Sequence, residues 1–249
     1  MRDVNQRMIK LFEALDSAFP VAEVFRDFVE VSAIVLINQY AFDAEWEQRE
    51  QRYHEIQQKY EEADFSRLSE LLSILMLAIY EAKESGLFVD ILGSLYMGLG
   101  LGKSASGQFF TPYEISKLMT ALVAPYLEEE LAKKPFISVM EPSCGSGTNF
   151  IAFAERVAGH GYSPTRNMAA VGVDLDILCV WMCFIQCQLY RIPAKIVHGN
   201  SLTHECWSAW CTLDWFAGGF GEAMKQRCQP TEQEDGKTAL TLEEQLVLF

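Results

Sequence analysis

The sequence lacks a hydrophobic run long enough to cross a membrane, which takes roughly 18 consecutive apolar residues. Its most apolar stretches, SAIVLINQYAF and LLSILMLAIY, are shorter than that and fit buried helix faces. The N-terminus, MRDVNQRMIK, has no apolar block of the kind that a signal peptide requires. We therefore predict a cytoplasmic protein.

Basic residues are also scarce in this chain. Lys and Arg together number 20 against 34 Asp and Glu, which gives a net charge of −14. Because binding to duplex DNA relies on Lys and Arg displacing counterions from the phosphates, a chain this acidic should bind DNA weakly by itself. Any contact with DNA therefore needs a local basic cluster or a partner that supplies one.

The seven cysteines do not form two Cys/His clusters at the spacing of a zinc site. Cys179, Cys183 and Cys187 are four residues apart, so they share one face of a predicted helix. They form either a stripe of small residues in the core or a metal or iron–sulfur site. The missing second cluster favours the core stripe, and we predict no metal.

The chain has 249 residues, half of them hydrophobic, which is enough to bury a sizeable core. Residues 1–104 are predicted to be a helical N-terminal domain that ends in a Gly- and Ser-rich hinge, because apolar residues recur there at helical spacing. Residues 105–220 are predicted to be an α/β domain with three or four strands in a parallel sheet, because strand and helix patterns alternate. Before the first strand, TPYEISKLMTALVAPYLEEEL is predicted to be one amphipathic helix, because it begins with Thr-Pro and has acids in its first turn. Residues 221–249 are predicted to be a flexible tail.

The segment VMEPSCGSGTNF, residues 139–150, joins a predicted strand to a predicted helix. In open parallel sheets, ligands bind beyond the carboxyl ends of the strands, and glycines there bring backbone N–H groups close to the ligand. Asp174 ends the next predicted strand, where a carboxylate suits a ribose diol. Glu141 would repel the pyrophosphate of a dinucleotide but suits an ammonium group. These features favour S-adenosylmethionine, which has an ammonium, a sulfonium and a ribose.

EPSCGSG, residues 141–147, resembles the (D/E)-P-x-C-G-S-G cofactor motif of N6-adenine DNA methyltransferases. The likeness is greatest to the modification (methylase) subunits of type I restriction systems. GQFFTP at 107–112, GVDLD at 172–176 and HGNSL at 198–202 are similar to further motifs of that family. The resemblance implies an abbreviated, Rossmann-like domain that uses S-adenosylmethionine to methylate adenine N6 in DNA within a restriction-modification system.

The resemblance also implies a set of cofactor-binding residues. One group lines the methionine end of the cofactor, a second forms the glycine turn, and Asp174 holds the ribose. Asn200, which replaces an acid of the family, borders the adenine. The complete set is Phe110, Thr111, Pro112, Glu141, Pro142, Ser143, Gly145, Ser146, Gly147, Asp174 and Asn200.

The sequence has no Pro-Pro pair, so it lacks the (N/D)-P-P-(Y/F) motif with which this family accepts the target amino group and stacks on a flipped base. Asp214, Trp215 and Phe216 are either a remote substitute or packing residues, and no catalytic residue is assigned. Three functions stay open. The chain is a methyltransferase that a partner completes, a non-catalytic relative that acts through protein contacts, or a methyltransferase for another substrate.

The chain ends in QLVLF, which resembles the Q-L-x-L-F peptide that binds the bacterial β sliding clamp. Such a peptide places Leu and Phe in an apolar pocket while Gln hydrogen-bonds at its rim. The resemblance assigns partner-binding roles to Gln245, Leu246, Leu248 and Phe249. The alternative is a terminal strand that packs on the domain.

Overall fold

The structure is a computed structural model that describes residues 2–15, 19–102 and 110–227. The first part of the chain is helical, as predicted, and Phe12, Phe25 and Phe28 pack ring against ring between its first two helices. None of the helices within the described ranges is both long and apolar enough to cross a bilayer. The five helices are α1 Arg2–Leu15, α2 Val21–Asn38, α3 Trp46–Gln57, α4 Glu62–Glu84 and α5 Ile91–Gly98.

The second part of the chain alternates helices and strands and confirms the predicted α/β fold. Two helices precede the first strand, and the strands then follow with helices between them. The elements are α6 Tyr113–Val123, α7 Leu127–Lys133, β1 Ile137–Glu141, α8 Thr148–Gly159, α9 Pro164–Asn167, β2 Met168–Asp174, α10 Ile177–Tyr190, β3 Ala194–Asn200, β4 Glu205–Cys211, α11 Leu213–Ala217 and α12 Phe220–Arg227.

The sheet has the strand order β1-β2-β3-β4. The first three strands are parallel, as the alternating pattern predicts. The fourth strand is antiparallel to β3, because residues 201–204 form a connection too short for a parallel crossover. Helices α8 and α10 cover one face of the sheet. Trp215, Phe220 and Met224 cover part of the other face, where they pack on Phe136 and Val171.

The helical and α/β parts share one hydrophobic core. Phe28 and Ile34 of α2 belong to the same buried cluster as Phe184 of α10 and Ile196 of β3. The domain boundary at residue 104 stays a prediction. Gln245, Leu246, Leu248 and Phe249 lie outside the described residues.

Three local features differ from the sequence-based expectations. The predicted hinge after α4 contains helix α5, which begins where the carboxylate of Asp90 accepts the Gly93 N–H at 2.7 Å. The predicted helix over TPYEISKLMTALVAPYLEEEL is broken at Ala124, because the residue before a proline disfavours helical backbone. Residues 221–227, predicted to be part of the flexible tail, lie in α12, where Met224 is buried against the sheet.

Candidate cofactor site

The turn between β1 and α8 depends on two glycines. Gly145 and Gly147 have φ values of +54° and +92°, a region that strains other residues. A Cβ at Gly147 would lie 3.0 Å from Cys183 Sγ, and one at Gly145 would lie 3.1 Å from the Phe110 ring. The turn is therefore pressed between α10 on its inner side and Phe110 on its outer side.

The carboxylate of Asp174 ties the turn to the end of β2. Its Oδ2 accepts the Gly145 N–H at 2.9 Å, and its Oδ1 accepts the Asp176 N–H at 2.9 Å. The Cys144 N–H donates to the Val173 carbonyl at 2.9 Å and adds a second link between turn and strand. A carboxylate offers about four lone-pair sites, so Asp174 retains acceptor capacity for the two hydroxyls of a diol.

Glu141, the acid that precedes the turn, is held in one orientation. Its Oε2 accepts from Asn149 Nδ2 at 2.6 Å, and its Oε1 lies 3.4 Å from the Ser143 nitrogen. Asn149 was not predicted as a site residue, although it stands eight positions after Glu141 on the first turn of α8. The pair presents an oriented negative charge beside the turn.

A cavity of about 220 Å³ opens above the glycine turn. Six of the predicted residues line it, and so do four residues that sequence reasoning missed. Phe110 closes one side, where its ring packs edge-on against Tyr96 of α5 at 5.3 Å. The lining residues are Phe110, Thr111, Ser143, Cys144, Gly145, Ser146, Thr148, Asn149, Asp174 and Cys179.

Five predicted residues do not line this cavity, and two of them, Glu141 and Gly147, belong to the turn beside it. Pro112 and Pro142 are exposed, and Pro112 directly precedes α6. The side-chain oxygen of Asn200 accepts the N–H groups of Leu202 at 2.9 Å and Thr203 at 3.3 Å, so it shapes the turn after β3. The adenine-bordering role of Asn200 therefore stays a prediction.

A buried carboxylate behind the turn is the main feature that sequence reasoning missed. Asp90, which is 6% exposed, accepts from Ser146 Oγ at 2.5 Å and from Thr148 Oγ1. Gln186 Nε2 donates to Asp90 at 2.8 Å and to the Ser146 carbonyl at 2.8 Å. Because Asp90 also caps α5, one side chain joins the N-terminal helices to the glycine turn. The D-x-x-G pattern at 90–93 was the only signal in the sequence.

The cysteine stripe lies under the turn. Cys179, Cys183 and Cys187 are all buried on α10, which agrees with the core interpretation. Burial raises the pKa of the Cys183 thiol well above its ordinary value, so this thiol is neutral. No group of three or more potential metal ligands occurs among His, Cys, Asp and Glu in the part of the chain that the structure describes.

Asp214, Trp215 and Phe216, the suggested substitute for the missing (N/D)-P-P-(Y/F) motif, all make contacts within the fold. Asp214 is 6% exposed and forms a two-pronged ion pair with Arg191, at 2.8 and 3.3 Å. Trp215 is buried on the second face of the sheet, and Phe216 packs edge-on against Tyr40 at 6.2 Å. These contacts favour the packing interpretation.

The fold and the site define a Rossmann-like methyltransferase domain with a glycine turn and a strand-end carboxylate. The family model described as N-6 DNA Methylase matches residues 89–218, just over half of the chain. The chain belongs to the N-6 DNA methylase family, which confirms the resemblance predicted from its motifs. The match begins one residue before Asp90, so it includes α5. Membership supports S-adenosylmethionine as the cofactor.

Two individual proteins resemble the chain. The type I restriction enzyme MjaVIII methylase subunit of Methanocaldococcus jannaschii is 28% identical over 160 residues, which is 61% of this chain and 25% of that subunit. A crystal structure from Listeria monocytogenes, described as a class I S-adenosylmethionine-dependent methyltransferase, has a TM-score of 0.41 and 16% identity. The alignment covers 81% of this chain and 55% of that one. The chain thus spans a quarter of the length of its curated relative.

Proposed function

We propose that this chain is the cofactor-binding part of an S-adenosylmethionine-dependent DNA adenine-N6 methyltransferase of the restriction-modification type, which a partner subunit completes. The observation that carries this proposal is the hydrogen bond from the Gly145 N–H to Asp174. It joins the glycine turn to a strand-end carboxylate beside a cavity, which is the arrangement that a ribose-bearing cofactor requires.

Each polar group of the site has a task in this proposal. Asp174 accepts from the ribose hydroxyls, and Glu141, oriented by Asn149, faces the ammonium group. Phe110 covers the cavity and excludes water from it. The cofactor supplies a methyl group on a sulfonium, whose positive charge the two carboxylates favour electrostatically.

The proposal of a partner is supported by what the chain does not supply. It has no Pro-Pro pair, and Asp214 is engaged with Arg191. Its net charge of −14 opposes DNA binding unless another subunit contributes basic residues. The curated relative is itself named as a subunit of a restriction enzyme.

A non-catalytic function is the second candidate, and the same missing motif favours it. In that case the chain binds the cofactor, or only keeps the fold, and acts through protein contacts. Clamp binding by Gln245, Leu246, Leu248 and Phe249 belongs to this candidate and is supported by the terminal sequence alone. We expect an immobilised sliding clamp to retain the full chain but not a variant with Leu248→Ala and Phe249→Ala. Equal retention of both would refute clamp binding.

Calorimetric titration with S-adenosylmethionine tests cofactor binding. We expect binding by the wild type and at least a tenfold weaker affinity for Asp174→Ala, because two hydrogen bonds to a charged acceptor are lost. Burial raises the pKa of Asp174, partly offset by the backbone N–H groups of Asp176 and Gly145. The wild-type affinity should therefore fall on acidification at a pH above the ordinary range of Asp, about 3.9.

Lowering the pH should change cofactor affinity and folding stability in opposite directions, so the two effects of protonating Asp174 can be distinguished. Since the pKa of Asp174 is raised in the folded state, its ionised form lowers stability at neutral pH, and that cost disappears as the pH falls through the raised pKa. Affinity, which needs the ionised form, is lost over the same range. Asp174→Asn should bind weakly with little pH dependence. An unchanged affinity of Asp174→Ala would refute the assignment.

Methylation of DNA separates the two candidate functions. Cells that express the wild-type chain with its partner subunit are compared with cells that express Glu141→Ala. Adenine methylation that is lost in the variant supports the methyltransferase. Cofactor binding without methylation in either strain supports the non-catalytic protein.

A further inference from the structure

One edge of the sheet is formed by β1. Among the described residues this strand pairs only with β2, so its other edge presents unpaired backbone N–H and C=O groups. None of the five residues of β1 is buried, whereas six of the seven residues of β2 are. Because Ile137, Val139 and Met140 are apolar yet only half-buried, β1 has the composition of an inner strand in an edge position.

Helix α6, close to this edge, carries an apolar stripe on its outer side. The residues that α6 buries are the polar Ser116 and Thr120, which reverses the usual amphipathic pattern. Soluble proteins rarely expose so continuous an apolar surface unless it binds something. The stripe consists of five residues at helical spacing, each at least 43% exposed, and these are Ile115, Leu118, Met119, Leu122 and Val123.

A groove of about 330 Å³ connects this helix to the open strand. Val123 and Tyr126, at the junction of α6 and α7, form one wall, and Ile137 and Ser138 of β1 form the other. Since Val123 is part of the apolar stripe, the stripe runs into the groove at the edge of the sheet. The groove shares no lining residue with the cofactor cavity. A strand added to β1 would therefore pack its apolar side chains on the end of the stripe.

The charge of the chain favours a different protein over a second copy as the source of that strand. Because the net charge is −14, two copies repel each other and a basic partner is attracted. The groove lies beside the acidic first turn of α7, which contains Glu128, Glu129 and Glu130. Lys134, which also lines the groove, is already paired with Glu130 at 2.9 Å. The surface therefore suits an apolar strand that is flanked by Lys or Arg.

We propose that the edge of β1 and the apolar stripe of α6 bind a β-strand from a partner protein, which extends the sheet by one strand. The bound strand is apolar where it contacts α6 and has basic residues at its ends. Backbone hydrogen bonds along β1 provide affinity, and the side chains in the groove provide specificity. This inference rests on the function proposed above only for the existence of a partner. Because β1 leads directly into the glycine turn at Glu141, the partner is held beside the cofactor site.

Fluorescence anisotropy with the full chain tests this surface. The probe is a labelled peptide of about seven alternating valine and isoleucine residues, the length of an ordinary strand, with lysines at both ends. We expect it to bind, and we expect at least tenfold weaker binding when two adjacent central residues are replaced by proline, because each edge of the peptide then loses an N–H donor. A peptide with glutamates at both ends should also bind more weakly.

Two matched variants change exposed side chains in different places. The groove variant, Val123→Gln with Tyr126→Gln, should weaken binding of the lysine-flanked peptide at least tenfold, because apolar surface that the strand would bury is lost. The α4 variant, Leu77→Gln with Tyr80→Gln, changes a similarly exposed pair outside the groove and should leave binding unchanged. Neither pair lines the cofactor cavity, so both variants should keep the wild-type affinity for S-adenosylmethionine.

Peptide binding that the groove variant loses and the α4 variant keeps supports the proposal. Equal binding by the two variants, or no binding by the wild type, overturns it. A wild-type dimer that becomes monomeric in the groove variant, measured by light scattering, overturns it in favour of a second copy. Peptide binding that appears only after Leu246→Asp and Leu248→Asp overturns it in favour of the chain's own terminus. Peptide binding by a wild type that does not bind S-adenosylmethionine supports the strand site and contradicts the function proposed above.

Discussion

Replacing Asp90 with alanine is expected to lower the free energy of unfolding by about 3–4 kcal/mol and to weaken S-adenosylmethionine binding at least tenfold. The carboxylate accepts from Gly93, Ser146, Thr148 and Gln186 while almost fully buried. Its removal leaves buried donors without an acceptor and detaches the glycine turn from α5. Denaturant unfolding and calorimetry measure the two effects.

Two further variants test whether Asp90→Ala weakens cofactor binding because it releases the glycine turn. Asp90→Asn keeps one acceptor oxygen, so it should lose less stability than Asp90→Ala. Asp64→Ala removes a partly exposed acid from the first turn of α4, where it pairs with Arg67, and should cost less than about 1 kcal/mol. If Asp90→Ala is destabilised but binds the cofactor with wild-type affinity while folded, then Asp90 only caps α5 and does not position the turn.

Replacing Gly147 with alanine is expected to lower the free energy of unfolding by about 2–3 kcal/mol and to impair cofactor binding. The backbone at +92° strains any residue with a Cβ, and the new methyl group would press on Cys183 Sγ at 3.0 Å. In the double variant Gly147→Ala, Cys183→Ala, the sulfur that the new methyl group would press on is absent. The steric contact is therefore relieved, but the backbone strain at position 147 is not. The two changes should therefore cost about 1 kcal/mol less together than the sum of their separate costs.

The same substitution at the other end of α8 is the matched control. A Cβ at Gly159 meets no atom within 4 Å, and its φ lies in the ordinary range. Gly159→Ala should be neutral or stabilise the protein by up to about 1 kcal/mol, because alanine has the higher helix propensity. Similar losses for Gly147→Ala and Gly159→Ala would mean that neither the contact nor the backbone angle at Gly147 matters.

Much of the fold could be predicted because its signals are local. The three parallel strands are short apolar runs, and the first two are each followed by a helix with recurring apolar residues. The turn residues Glu141, Gly145 and Gly147 and the strand-end acid Asp174 could also be predicted, because a few consecutive residues indicate a glycine turn or the end of a strand. The direction of β4 could not be predicted in this way, because it depends on the length of one connection.

The site beyond the turn depended on contacts between distant segments. Asp90 lies 56 positions before Ser146, in a stretch whose glycines predicted a hinge. Asn200 is predicted to border the adenine, and only the folded structure shows that its side-chain oxygen also accepts the Leu202 N–H in its own turn. The sequence left open whether Asp214 substitutes for the missing motif or packs in the fold, and the ion pair with Arg191 favours packing.

The amino-acid sequence alone was therefore enough to predict the family, the glycine turn and the strand-end carboxylate, because consecutive residues specify each of them. The tertiary structure alone decided that the carboxylate of Asp90 stands behind the turn, where it accepts from Ser146. These arrangements arise when segments far apart in the chain pack together, and no local periodicity records such packing. The local motif therefore predicts the turn and its acids, whereas the contacts that support the turn exist only in the folded molecule.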